Sequence, residues 1–141
     1  MSDLVSVVLP VGPGVSDAGL ALDDLFGQTY ENLEVVAVLN GCPEFVRGDF
    51  LGRKDRRFRV IDLGNKPSLL NALDLAVSKS RGRWLARMDA DDRCDSTRIE
   101  KQVELLEVGE YEVVSCGISL KEAMGDLSLI HISEPTRLVS I

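Results

Sequence analysis

The stretch RWLARMDADDRCD, residues 83–95, runs from an apolar segment into four aspartates within seven positions, Asp89, Asp91, Asp92 and Asp95. Carboxylates this close repel one another, and a divalent cation is the simplest relief of that repulsion. Hard oxygen ligands favour magnesium or manganese, ions commonly shared with the phosphates of a substrate. A solvated acidic turn that only caps a helix is the competing reading, and the position directly after a strand-like run favours the metal. A calcium loop fails on spacing. With Asp89 in the first position and Glu100 in the twelfth, Arg93 and Cys94 occupy the fifth and sixth, where an oxygen ligand and a glycine belong.

Other chemistries are thinly supplied. Cys42, Cys94 and Cys116 are odd in number and lack C-x-x-C spacing, so neither a disulfide framework nor a zinc site is indicated, and reduced thiols are expected. A net charge of -7 argues against a nucleic-acid binder, whose phosphate contacts need clustered Lys and Arg. The opening MSDLVSVVLP carries no basic region, and no apolar run reaches the length of a membrane span. The segment is expected to be cytoplasmic, at most peripheral to the inner face of a membrane.

Elements that would position the acids are legible around them. Residues 4–11 (LVSVVLPV) and 33–40 (LEVVAVLN) are continuous apolar runs rich in valine, as in strands buried on both faces. Residues 58–63, 83–88 and 111–118 are further strand candidates. Leu69, Leu73, Ala76 and Val77 fall at helical spacing, as do Ile99, Val103 and Leu106. Pro67 suits the first turn of the former helix, and Asp95 or Ser96 can cap the latter. Trp84 and the stripe Leu69, Leu73, Val77 read as core. Strands alternating with helices predict an α/β fold with a mostly parallel sheet, and ligands of such sheets bind beyond the carboxyl ends of the strands. Asp89, Asp91 and Asp92 would then stand at the tip of a strand.

Residues 127–137, LSLIHISEPTR, look like the translation of a transposase-type sequencing-library adaptor. On that reading residues 1–126 form the N-terminal part of one domain and 127–141 are an adaptor-derived tail. His131, the single histidine, lies in that tail, so acid or base work in the remainder falls to carboxylates or a metal.

The blocks VSVVLPV, LDDLFGQTYENLEVVAVLNG, LLNALDLAVSKSRGRWLARMDADD and DSTRIEKQVELL resemble, in order and spacing, those of family 2 glycosyltransferases. The resemblance covers most of residues 4–118. It implies the GT-A fold, here truncated, a nucleoside diphosphate sugar donor, a divalent cofactor (Mg2+ or Mn2+), inverting transfer to an acceptor hydroxyl, and a setting in cell-wall or polysaccharide synthesis. It assigns the metal to Asp91 and Asp92 with Asp89 in support, and donor contacts to Pro10, Val11, Asn40, Asn71, Asp89, Asp91 and Arg98. The general base would come from beyond residue 126; Glu122 and Asp126, the only acids in VVSCGISLKEAMGD before that point, match no later motif. Two departures stand out: Asn40 replaces an aspartate that contacts the base, and Val11 and Gly12 follow Pro10 where an aromatic and an asparagine are usual. An amide keeps one acceptor and adds donors.

Two other readings stay open. A sugar-nucleotide nucleotidyltransferase would be expected to carry a basic, glycine-rich signature after its first strand, and PVGPGVSDAG has no Lys or Arg. A noncatalytic nucleotide-sugar-binding module would account for Asn40 and the altered first loop.

Overall fold

The computed structural model describes residues 2–64, 68–117, 120–121 and 127–128. The chain divides into two compact units, Met1–Thr97 and Arg98–Ile141. In the first, β1 (Val5–Val11), β2 (Leu33–Leu39), β3 (Phe58–Asp62) and β4 (Trp84–Arg87) form one parallel sheet in the order β3-β2-β1-β4. Three helices connect them: α1 (Gly19–Phe26), α2 (Glu44–Gly52) and α3 (Leu69–Lys79). This is the α/β architecture the strand and helix alternation predicts. The two central strands are buried at every position, polar Ser6 and Glu34 included. Burying each of their valines and leucines stabilises the fold by roughly 1.5–3 kcal/mol.

Register assigns the faces. Val8 pairs with Val36, and with Val38 they form one cluster with Ala72 and Ala76 of α3, flanked by Ile61, Leu73, Leu75 and Leu85. Val35 pairs with Phe58, one residue out of phase and so on the other face. There Phe58 meets Phe26 of α1 edge-on at 5.7 Å and Phe50 of α2 at 5.9 Å. Helices therefore cover both faces.

The buried stripe of α3 corrects the expected one. Ala72 and Ala76 face the sheet, whereas Leu69 and Val77 are about half exposed, at 51% and 46%. Small side chains let the helix backbone approach the sheet closely and rotate the larger ones outward. Trp84 is only half-buried, with the Arg83 guanidinium 4.9 Å from its ring centre. The cap of α3 is Ser68, whose Oγ accepts the Asn71 N–H at 3.2 Å; Pro67 lies outside the described residues.

Opposite the carboxyl edge, Glu34 ties the sheet together. Its side chain is 3% exposed and accepts from the Ser6 hydroxyl (2.7 Å), the Arg81 N–H (2.8 Å), the Arg81 Nη2 (2.9 Å) and the Arg59 Nη2 (3.2 Å). The Gly82 N–H donates to Ser6 Oγ at 2.8 Å, and a Cβ on Gly82 would stand 2.6 Å from the Ser6 nitrogen. Only glycine fits there.

In the second unit, α4 (Arg98–Glu107) buries Ile99 and Val103, at the spacing the sequence shows. Asp95, just ahead of it, accepts the Thr97 N–H at 2.9 Å and its hydroxyl at 2.7 Å. A two-residue antiparallel ladder pairs β5 (Leu120–Lys121) with β6 (Leu127–Ser128). Of the strand expected at 111–118, the described residues 111–117 are irregular. Apolar alternation supplies a strand's side chains but not its ladder partner, and strand preference yields to context. Glu122, Asp126, His131 and the rest of the tail beyond Ser128 lie outside the described residues. Among the described residues no helix is long and apolar enough to cross a membrane.

Candidate functional site

Strand order creates a switch point. From β1 the chain winds outward through β2 and β3, then returns through α3 to place β4 on the opposite side of β1. The strand order thus reverses between β1 and β4, and such a reversal opens a crevice at the carboxyl ends of the two strands. An open cleft of about 300 Å3 lies there, lined among others by Pro10, Pro13, Asn40, Ser68, Asp89 and Asp91.

Asp89, Asp91 and Asp92 all follow β4 and are exposed. A tight turn bends them, with the Asp92 N–H donating to the Asp89 carbonyl at 3.1 Å. Asp89 and Asp91 line the cleft. Asp89 also accepts from Arg87 Nη2 at 3.4 Å, a weak, exposed pair. Asp92 sits beside them on the same turn.

Asn40 forms the floor. It is 4% exposed, its N–H donates to the Val11 carbonyl at 2.8 Å, and its Oδ1 accepts the Ser68 N–H at 2.7 Å. The residue is thus fixed through its backbone at the end of β1 and through its side-chain oxygen at the start of α3. Val11 itself is fully buried, so it serves the cleft through its carbonyl. Asn71 is exposed on the first turn of α3, and the cleft's lining is supplied instead by Ser68 and Leu69 at the head of that helix. Ser68 is missed when Pro67 is taken as the helix start, although a serine directly before an apolar periodic run is itself an N-cap signal. Arg98 opens α4, and its Nε donates to Gln102 within that helix at 3.2 Å.

Gly12 also lines the cleft, yet neither its backbone angle nor crowding demands glycine, for a Cβ there meets nothing within 4 Å. Open space beside a cleft is space for a ligand. Gly12→Val is therefore expected to leave the melting temperature unchanged within about 2 °C, as surface changes do, and to weaken ligand binding in the cleft at least roughly tenfold by occupying that space. Thermal unfolding and a binding titration on one preparation check both halves.

A cleft at the switch point of a parallel sheet, with two aspartates at one strand tip and a buried amide at another, lies where open α/β sheets bind their ligands. The sequence profile described as Glycosyl transferase family 2 matches residues 6–135, and the chain belongs to that family. The chain is 30% identical over 129 residues to the O-antigen biosynthesis glycosyltransferase WbnJ of Escherichia coli, covering 88% of this chain and 50% of that protein. It is 28% identical over 123 residues to the uncharacterized glycosyltransferase EpsJ of Bacillus subtilis (strain 168), covering 83% of this chain and 34% of EpsJ. Among solved structures, S. aureus TarS 1-349 in complex with UDP superposes with a TM-score of 0.61 at 16% identity, covering 74% of this chain and 32% of that one. Together they establish the GT-A fold. The chain spans only a third to a half of the length of these relatives.

Proposed function

We propose that this chain is the donor-binding part of an inverting glycosyltransferase that takes a sugar from a nucleoside diphosphate sugar to an acceptor hydroxyl. The observation that carries the reading is the pairing, in one cleft at the switch point, of the Asp89 and Asp91 tip with the fixed amide of Asn40. Apolar Pro10, Pro13, Val15 and Leu69 supply a wall for a flat ring, and Asn40 offers the base an amide edge.

The acids fit Mg2+ or Mn2+ better than a cation caged by protein alone. Among the described residues no group of three or more His, Cys, Asp or Glu is arranged to hold a metal. Magnesium characteristically keeps several waters and is held by one or two carboxylates together with substrate phosphates. Asp91 and Asp92 would hold it, with Asp89 in support. When bound, the cation neutralises charge that builds on the departing diphosphate.

Transfer with inversion also needs a base on the face opposite the leaving group to take the acceptor proton. We assign it to the part of the relatives' length that this chain does not span. Acceptor recognition is assigned there too.

Saturation-transfer NMR with a panel of UDP-, GDP- and ADP-sugars in Mg2+ tests the donor assignment. At least one nucleotide sugar is expected to show transfer strongest at its base and ribose protons. Signal from none of them, or equal signal from the free sugars, would overturn it.

A further inference from the structure

The loop that bears the acids is followed at once by a cation. Arg93 succeeds Asp92 directly, on a turn whose carboxylates are exposed. Left to itself, its guanidinium would fold back on these neighbours and compete with a metal for them. The structure holds it elsewhere. Arg93 Nε and Nη2 make a two-pronged contact with the Asp24 carboxylate of α1, at 2.7 and 3.0 Å. The Cys94 N–H donates to the same carboxylate at 3.0 Å.

The next two residues are fastened to the same helix end. Gln28 Nε2 donates to the Asp95 carbonyl at 2.7 Å and to the Asp24 carbonyl at 3.1 Å, and Gln28 is only 5% exposed. The Thr29 N–H and hydroxyl both reach the Ser96 carbonyl, at 2.9 and 3.3 Å. Residues 93–96 are thus each bonded to the segment 24–29, which lies about seventy residues away in sequence. Asp24 is mostly covered, its side chain 15% exposed, while Arg93 is 61% exposed. The carboxylate is the fixed member of the pair and the arginine is the member that would move.

We infer that Asp24 is a positioning residue for the cation site: it holds the Arg93 guanidinium on α1 and so keeps it from competing with a metal for Asp91 and Asp92. The inference rests on the metal-nucleotide reading above, and it makes no use of Asp24 touching any ligand. Gln28 and Thr29 complete the clasp by fixing the backbone on which the loop ends.

The test measures Mn2+ and UDP binding to the 141-residue chain carrying Asp24→Asn, Arg93→Gln, or both. Asn is close to Asp in size and keeps an acceptor for Cys94, so the chief change is the charge that holds Arg93. Asp24→Asn alone is expected to weaken UDP binding in Mn2+ roughly tenfold, with UDP binding in EDTA unchanged. The double variant is expected to recover most of the loss, because no cation remains to be released. A purely structural clasp predicts the opposite, with the double variant no better than Asp24→Asn and melting temperature falling in step with binding; that result would overturn the inference. Equal binding of the native chain in Mn2+ and EDTA would instead strike the metal reading on which it stands.

Discussion

Glu34→Ala is expected to cost about 3 kcal/mol of folding stability, near the lower end of the range for removing one partner of a buried ion pair. The carboxylate is nearly sealed and gathers donors from β1, β3 and the segment entering β4. Without it the Ser6 hydroxyl and the Arg81 N–H lose their acceptor in a place where water reaches poorly, and the Arg59 guanidinium keeps only the Lys79 carbonyl. Arg81 is more than half exposed and can turn to solvent, which keeps the cost from the top of the range. Burial raises the Glu34 pKa, but hydrogen bonds from Ser6 and from the Arg81 N–H and guanidinium, with the charge of Arg59, outweigh it and leave the group below its ordinary range.

A depressed pKa fixes the sign of the pH effect. Glu34 binds fewer protons folded than unfolded, so its contribution is present above the ordinary glutamate range and is lost as pH falls through the depressed value. Urea denaturation at neutral and acid pH is expected to show a smaller acid loss in Glu34→Gln than in the native chain. Some acid loss remains, because Asp24, held low chiefly by Arg93, and Asp62, held low chiefly by the Gly64 N–H, contribute with the same sign. Equal acid sensitivity of the two chains would contradict the role given to Glu34.

The second large effect concerns the cation. Asp91→Asn removes one of the two carboxylates assigned to the metal and is expected to weaken Mn2+ binding in the presence of UDP by at least about tenfold. The residue is exposed, so stability should shift by no more than about 0.5 kcal/mol. The free Mn2+ signal in electron paramagnetic resonance reads the bound fraction directly. An unchanged fraction would remove Asp91 from the site.

What was legible in the chain divides along physical lines. The two central strands are visible because burial on both faces writes itself as unbroken apolar runs, β3 and β4 are shorter, half-buried runs interrupted by charged residues, and the acids are visible because their charge ends the β4 run. α1 and α2 are less so. Leu20, Phe45 and Leu51 are exposed, and Gly48 and Gly52 sit within α2, so the helical stripe is blurred by apolar residues on the outside. The α3 stripe differs for a related reason: Ala72, small enough for close packing, carries less apparent hydrophobicity than Leu69 and Val77, whereas Ala76 falls at the helical spacing the sequence shows. Apolar alternation at 111–117 could not reveal that no ladder runs there. Within the site, Asn40 and the aspartates are local signals at strand ends. The Asp24–Arg93 pair and the Ser68 contact to Asn40 join distant segments, and only the fold brings them together.

Calorimetric titration of UDP into the 141-residue chain, once with Mn2+ and once with EDTA, tests the donor-site reading most directly. The aspartate tip and the cleft predict saturable binding that is at least about tenfold tighter with Mn2+. Identical isotherms under the two conditions would contradict it.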